Sequence, residues 1–218
     1  MTGWSSGNTP SFYYWPPDWT VSMRAFEDYH DRDEKRFLGR NFAAGRSAEQ
    51  ELARALDVLF AHPNVGPFVS RQLIQRLVTS NPTPEYVARV AAVFGDNGAG
   101  VRGDLRSVVR AILLDPEARR GHLDLPERFG KVREPLLRLT HLLRAFEAVS
   151  TAPDGAYPST WVEWGTSQAP LGAPSVFNFF SPGYSPDGEL RELGLVAPEM
   201  KLADDSRINR SANYTGGL

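Results

Sequence analysis

Histidine is the side chain best suited to acid–base chemistry near neutral pH, and His141 has several charged residues within helical reach. Arg138 and Arg144 each lie three residues from it, and Glu134 lies two turns earlier, directly before the predicted helix start at Pro135. Residues at such spacings share one side of a helix. The pattern is compatible with a catalytic site, with hydrolysis as the reaction class. It is also compatible with a polar seam against another part of the protein, which is the interpretation we favour.

A second charged group lies in a predicted turn and contains His30, Asp31 and Asp33. Carboxylate oxygens are the ligands that Ca²⁺ and Mg²⁺ prefer, and an imidazole beside carboxylates can hold a transition metal. The spacing does not match an EF-hand loop, because Asp33 stands where that loop needs glycine. We therefore expect a solvated turn with no metal, and we expect no cofactor.

Aromatic and basic side chains supply the remaining binding candidates. Trp161 and Trp164 could stack on sugars, although they could equally anchor a loop that is rich in proline and glycine. Arg102 and Arg106 share one helix face and could bind an anion. They lack the interleaved aromatic residues of a nucleic-acid surface, and the chain's net charge is −2. We therefore expect no nucleic-acid partner.

These candidates depend on helices whose starts the sequence marks clearly. Ser47 with Gln50 is a capping box, and the other start signals are Thr83-Pro84, Asp104 and Asp115-Pro116. Apolar residues recur at helical spacing after Ser47, after Asp104 and after Pro135, where a further helix begins, so we expect them to face inward. They are Leu52, Ala55, Leu56, Leu59 and Phe60; then Leu105, Val108, Val109, Ile112 and Leu113; and then Leu136, Leu139, Leu142, Leu143 and Phe146.

The sequence therefore predicts an all-α fold, an irregular bundle of five to six helices over residues 47–150. Two aromatic, Pro/Gly-rich flanks surround the bundle. The first, residues 1–46, must dock on the bundle or on a partner, and its stretch Met23–Phe42 is compatible with one short β-hairpin turning at Glu27–Glu34. The second, residues 151–218, packs on the same domain and ends in a helix that begins at Pro198 and runs to about Asn213.

Composition excludes several classes of protein. The chain of 218 residues contains no cysteine, which excludes disulfides, thiolate nucleophiles, zinc fingers and iron–sulfur clusters. No run of apolar residues approaches the length needed to cross a membrane, so we expect no membrane-spanning segment. Residues 1–30 lack the basic start and apolar stretch of a signal peptide.

Six short sequence motifs, in the same order along the chain, resemble motifs of the bacterial family catalogued as domain of unknown function 1800. The resemblance covers nearly the whole chain. The motifs are His62–Arg76, Val78-Thr79-Ser80-Asn81-Pro82, Arg102-Gly103-Asp104-Leu105, Leu113–Arg119, Lys131-Val132-Arg133-Glu134-Pro135 and Pro174–Phe180.

The resemblance implies a partner. Family members are longer, and this chain resembles only their C-terminal half, so we expect it to be part of a longer protein. Members are often encoded beside an apparently exported family, number 1501, which implies a location in the cell envelope. We therefore predict a helical binding or assembly module whose protein partner is the N-terminal half or that neighbour. An enzyme with a site around His141 and a saccharide-binding module are the alternatives.

Overall fold

The computed structural model confirms a mostly helical fold. It describes residues 2–13, 16, 18, 20–155, 160–169 and 171–216, without the side chains of residues 160, 161, 215 and 216. The chain divides into two compact units, Met1–Val65 and Gly66–Leu218. The division into a flank, a bundle and a second flank stays a prediction.

Two short antiparallel hairpins lie in the first unit. They pair β1 (Trp4–Ser6) with β2 (Met23–Ala25), and β3 (Lys35–Phe37) with β4 (Arg40–Phe42). A hairpin within the predicted stretch is thus confirmed, but the predicted position of its turn is wrong. The turn is Leu38-Gly39, where both residues have the positive φ of a type I′ hairpin turn. The charged stretch that we predicted as the turn instead contains a 3₁₀ turn, Glu27–Tyr29.

The α-helices extend over both units, and within the described residues none is long and apolar enough to span a lipid bilayer. They are α1 (Ala48–Ala61), α2 (Val65–Leu77), α3 (Pro84–Gly95), α4 (Leu105–Leu114), α5 (Pro116–Asp124), α6 (Pro135–Ala145), α7 (Thr160–Thr166), α8 (Glu189–Glu192) and α9 (Asp205–Gly216).

The predicted helix starts are confirmed by their caps. The Ser47 hydroxyl accepts the amide hydrogen of Gln50, whose side-chain oxygen in turn accepts the amide hydrogen of Ser47. Thr83, Asp104 and Asp115 accept backbone amide hydrogens at the starts of α3, α4 and α5. These bonds satisfy donors that the first turn of a helix leaves without partners.

The core of the second unit lies where α3 packs on α4. Tyr86, Val90, Val108 and Ile112 are buried there, and the Tyr86 hydroxyl donates to the Ile112 carbonyl at 2.7 Å. Burial raises the pKa of Tyr86 above its ordinary value, and the nearby Asp115 carboxylate adds to the effect. This hydrogen bond ties the first turn of α3 to the end of α4.

Several apolar residues that we predicted to face inward are exposed, so the predicted faces are too wide. In α4 only Val108 and Ile112 are buried, while Leu105 is 55% exposed and Leu113 is 50% exposed. A helix covers only the line of residues that meets its neighbours, and periodicity alone does not report the width of that line. The same holds for Leu56, Leu59 and Phe60 in α1 and for Phe146 after α6.

The predicted C-terminal helix is divided in two. Pro198–Leu202 forms a 3₁₀ helix, and α9 begins only at Asp205. The Asp204 carboxylate accepts the amide hydrogen of Arg207 at 2.8 Å, which caps the new helix and explains the break. That capping bond also lowers the pKa of Asp204.

Candidate functional site

A buried charged cluster in the first unit joins His30, Lys35 and Glu51. The Nε2 atom of His30 lies 3.5 Å from Oε2 of Glu51, and the Nζ atom of Lys35 lies 2.9 Å from Oε1 of Glu51. The side chains of His30 and Glu51 are 0% and 1% exposed. Charged groups at such depth need partners, because removal from water penalises the ionised form.

Local structure fixes how the imidazole of His30 points. Its Nδ1 atom lies 3.0 Å from the Thr2 carbonyl oxygen, which can only accept, so Nδ1 carries the hydrogen and Nε2 faces Glu51. Gly3 permits this approach: its φ is +82°, and a Cβ there would lie 2.9 Å from the Phe26 carbonyl oxygen. The N-terminal strand therefore needs glycine at this position.

Glu51 and Lys35 come from two different elements of the first unit. Glu51 lies in the first turn of α1, on the same buried line as Ala48 and Ala55. Lys35 opens β3, and its ammonium also donates to the carbonyl oxygens of Asp31 and Asp33. The cluster thus pins a hairpin and a loop to the start of α1.

A cavity of about 270 Å³ adjoins this cluster. Its lining includes Lys35, Phe37, Phe42 and Glu51. Because the Glu51 carboxylate already faces the ammonium of Lys35 and the imidazole of His30, it is arranged as an ion-pair partner rather than as a base directed at a substrate. The observed geometry is that of a structural ion cluster.

The metal candidates do not form the solvated turn that we predicted, because the His30 side chain is buried against Glu51 while Asp31 and Asp33 are exposed. The Asp31 carboxylate accepts the amide hydrogen of Asp33 at 2.9 Å, and this hydrogen bond lowers the pKa of Asp31. Its other oxygen lies 3.8 Å from Nζ of Lys35. Among the residues that the structure describes, no group of three or more His, Asp or Glu side chains is arranged to hold a metal ion.

The catalytic candidates on α6 have separate partners. Glu134 accepts from the amide of Gln168 at 2.6 Å, and the Gln168 oxygen accepts the amide hydrogen of Leu136 at the start of α6. Arg138 donates to the Ser211 hydroxyl at 3.3 Å. These contacts link α6 to the C-terminal part of the second unit. His141 and Arg144 are exposed, and a catalytic role for this group stays a prediction.

The aromatic candidates lie on α7. Trp164 is 51% exposed, and the Arg210 guanidinium on α9 lies 5.8 Å from the centroid of its ring. Next to it, Gly165 contacts Tyr214 so closely that a Cβ there would lie 2.3 Å from the ring. Trp164 therefore lies beside the contact between α7 and α9. The side chain of Trp161 lies outside the described residues.

The arginine candidates lie around the start of α4. The guanidinium of Arg102 lies 5.1 Å from the centroid of the Phe94 ring, at cation–π distance. Arg106 and Arg110 are exposed on α4, and within the described part of the chain neither has a carboxylate within 4.0 Å. Asp104, the cap of the helix, is engaged with Asn97 and Ser107, and these bonds lower its pKa to about 2.

Two parallel rows of side chains therefore run along the exposed side of α4. We call Leu105, Val109 and Leu113 the α4 ridge, and Arg106 and Arg110 the basic row. Members of each row are four residues apart and so lie above one another on the helix. The ridge borders the buried line of Val108 and Ile112; its ends, Leu105 and Leu113, are exposed, whereas Val109 between them is half-buried.

A second polar cluster lies at the C-terminal end of α2, where parts of four of the six family motifs meet. The Asn81 amide exchanges two hydrogen bonds with the backbone of Val196, at 2.8 and 2.9 Å. Lys131 lies 3.1 Å from the buried carboxylate of Glu199 and donates to the Arg76 carbonyl at 2.8 Å. These contacts hold the C-terminal loops of the unit to the end of α2. The Arg76 guanidinium also lies over the Phe180 ring there.

Sequence reasoning missed Glu51 and Glu199, the two most deeply buried carboxylates among the described residues. Glu51 carried a signal, since its spacing from Ala48 and Ala55 places it on the buried face of a predicted helix. Glu199 carried none, because its partner Lys131 is 68 positions earlier in the chain.

Comparison with known proteins gives a family and no function. No curated protein and no solved structure matches the chain. A family model does match, over residues 1–215. The chain therefore belongs to the family described as protein of unknown function (DUF1800).

Proposed function

We propose that the chain is a helical binding or assembly module that holds another polypeptide on the α4 ridge. The observation that carries this proposal is the exposure of Leu105 and Leu113, about half of each side chain, on a helix that is also packed into the core. Val108 and Ile112 are each 0% exposed, so α4 is already anchored without the ridge.

The driving force for binding is the burial of the apolar surface of the ridge. Burying a leucine side chain completely is worth about 1.5–3 kcal/mol, so covering the exposed halves of two leucines is worth about 2 kcal/mol in total. Single exposed leucines are ordinary, but Leu105 and Leu113 lie two turns apart on one side of the helix, with the half-buried Val109 between them. This arrangement supports a docking role.

The candidate partners follow from the family resemblance. They are the N-terminal half of longer family members and the neighbouring exported family. A location in the cell envelope accompanies this proposal and rests on the same resemblance.

The test is site-specific photocrosslinking in the bacterium that produces the protein. Leu113 is replaced by benzoylphenylalanine, and Arg120, whose side chain is 67% exposed on α5, is replaced in the same way as the control. We expect one crosslinked product from position 113 and none from position 120, with mass spectrometry identifying the partner peptide.

A ridge variant makes this test specific. Leu105→Ser should suppress the crosslink at position 113 and leave the melting temperature nearly unchanged, because Leu105 contributes little to the core. If the crosslinks from positions 113 and 120 are the same, or if Leu105→Ser does not alter them, the proposal is wrong.

A further inference from the structure

We infer that the α4 surface recognises an acidic amphipathic helix, which extends the proposed function and rests on it. The surface has two parts with different chemistry. The α4 ridge supplies apolar contact, and the basic row beside it supplies positive charge. A partner that satisfies both must be apolar along one line and negatively charged along the next.

The shape of the ridge favours a helix as the partner. Leu105, Val109 and Leu113 form one line of about 12 Å at the helical rise of 1.5 Å per residue. Rows at four-residue spacing pack into the grooves of another helix, which is the commonest helix-to-helix arrangement. An extended strand would need free backbone groups to pair with, and a helix such as α4 uses its own backbone groups internally.

The charge of the surface favours an acidic partner. Arg106 and Arg110 are exposed beside the ridge and have no carboxylate within 4.0 Å among the described residues, as is also true of Arg119 on α5. Residues 71–144 as a whole carry 13 basic against 8 acidic side chains. A row of acidic side chains on the partner would be attracted to these basic side chains. That attraction would fix how the partner lies along α4.

Two other anionic surfaces fit less well. A nucleic acid would engage the basic row but leave the ridge uncovered, and no aromatic side chain lies between the arginines to stack on bases. A membrane-binding helix presents a broader apolar face than a single row, commonly with Trp or Phe at the lipid boundary. Both surfaces enter the experiment as competing outcomes.

The experiment measures binding of two synthetic peptides to the full chain by fluorescence anisotropy. Each peptide has about 20 residues, long enough to be helical in solution, and carries leucine at every fourth position. One peptide has glutamate along the adjacent flank and the other has lysine there. The other probes are a single-stranded oligonucleotide and vesicles with equal parts of phosphatidylcholine and phosphatidylglycerol.

The charge-reversal pair decides the outcome. Arg106→Glu with Arg110→Glu should weaken binding of the glutamate peptide by about tenfold or more, and should allow the lysine peptide to bind. Arg119→Glu with Arg120→Glu makes the same change in net charge on α5 and should leave both affinities unchanged. Circular dichroism confirms that each variant is folded.

The inference falls if the glutamate peptide shows no saturable binding below about 1 mM, if both peptides bind equally, or if only the vesicles or the oligonucleotide bind. This failure is distinguishable from failure of the proposed function. A specific crosslink from position 113 together with no binding of the glutamate peptide would keep the binding module and reject its acidic helical partner.

Discussion

His30 and Glu51 form a buried pair in which Nε2 of the imidazole lies 3.5 Å from Oε2 of the carboxylate. The Thr2 carbonyl holds the opposite ring nitrogen, so the imidazole cannot turn away without losing that contact. Lys35 completes the pairing of the carboxylate from the other side. Glu51 on α1 thus contacts Lys35 of the β3–β4 hairpin directly and the N-terminal segment through His30.

Glu51→Gln should therefore destabilise the first unit strongly. The change keeps the size of the side chain but removes the negative charge that Lys35 and His30 face, and breaking a buried pair in this way costs about 3 kcal/mol or more. Urea denaturation followed by circular dichroism measures the loss. Glu49→Gln is the matched control, because Glu49 lies on the exposed side of the same helix and should change stability by less than about 0.5 kcal/mol. Equal effects of the two changes would show that the cluster contributes nothing.

How much of this site could be read from the sequence depends on the distance between partners. The capping bonds of Ser47 and Asp104 span only three residues, and their residue types alone predict them. The Lys35–Glu51 pair joins residues 16 positions apart across a loop, and no local pattern reports that they meet. A local propensity can be inferred from the residues, whereas a long-range contact depends on the packing of the whole unit.

The two misplaced features have different physical origins. The hairpin turn was predicted at the charged stretch Glu27–Glu34, because charge runs are typical of turns, but the turn formed where Gly39 allows positive φ. The exposure of Leu105 and Leu113 could not be predicted, because spacing shows that residues share a face and not whether anything covers it. The α4 ridge became visible only once α3 and α5 were placed around it.

The lowered pKa of Asp104 predicts that the stability of the second unit depends on pH. Its pKa is lowered from 3.8 to about 2, mainly by the hydrogen bond from Asn97 and then by those from Ser107. Because the folded-state pKa lies below the unfolded value, the ionised carboxylate stabilises the fold above pH 3.8, and this contribution is lost as the pH falls through about 2. The difference in melting temperature between the native chain and Asp104→Ala should therefore be constant above pH 4 and shrink below it.

The pKa itself can be measured by NMR from the carboxyl carbon shift of Asp104. Asn97→Ala removes the largest cause of the lowered value, so it should raise the pKa of Asp104 toward 3.8. A titration near 3.8 in the native chain would contradict the observed hydrogen bonding around this cap.

The contact between Arg89 and Asp115 predicts that lysine cannot replace arginine at position 89 of α3 without loss of stability. The Nε and Nη2 atoms of Arg89 donate to the two oxygens of Asp115, each at 2.8 Å, and raise the pKa of Arg89 further. A lysine cannot make this two-point contact, so Arg89→Lys should cost about 1 kcal/mol of unfolding free energy. Arg120→Lys, in the exposed pair with Asp124, should cost at most a few tenths of that amount. A comparable loss at both sites would rule out a special role for the two-point contact.

The structure leaves no room for a side chain at Gly121 in α5. A Cβ at this position would lie 2.2 Å from Cδ2 of the Phe129 ring, so Gly121→Ala must displace the ring and should cost about 1–3 kcal/mol. Gly95→Ala is the matched control, since it is also helical and a Cβ there meets nothing within 4 Å. That change should be neutral or stabilising, because alanine restricts the unfolded chain more than glycine does.

A second substitution separates the contact with Phe129 from any other effect of the methyl group. Phe129→Ala removes the ring atoms that the new Cβ would strike, so Gly121→Ala should cost clearly less in that background than in the native chain. Thermal and urea denaturation of the four proteins in the cycle give the coupling energy between the two positions. A coupling of zero would mean that the loss has another cause, and that the close approach of α5 to the Phe129 ring does not set the requirement for glycine.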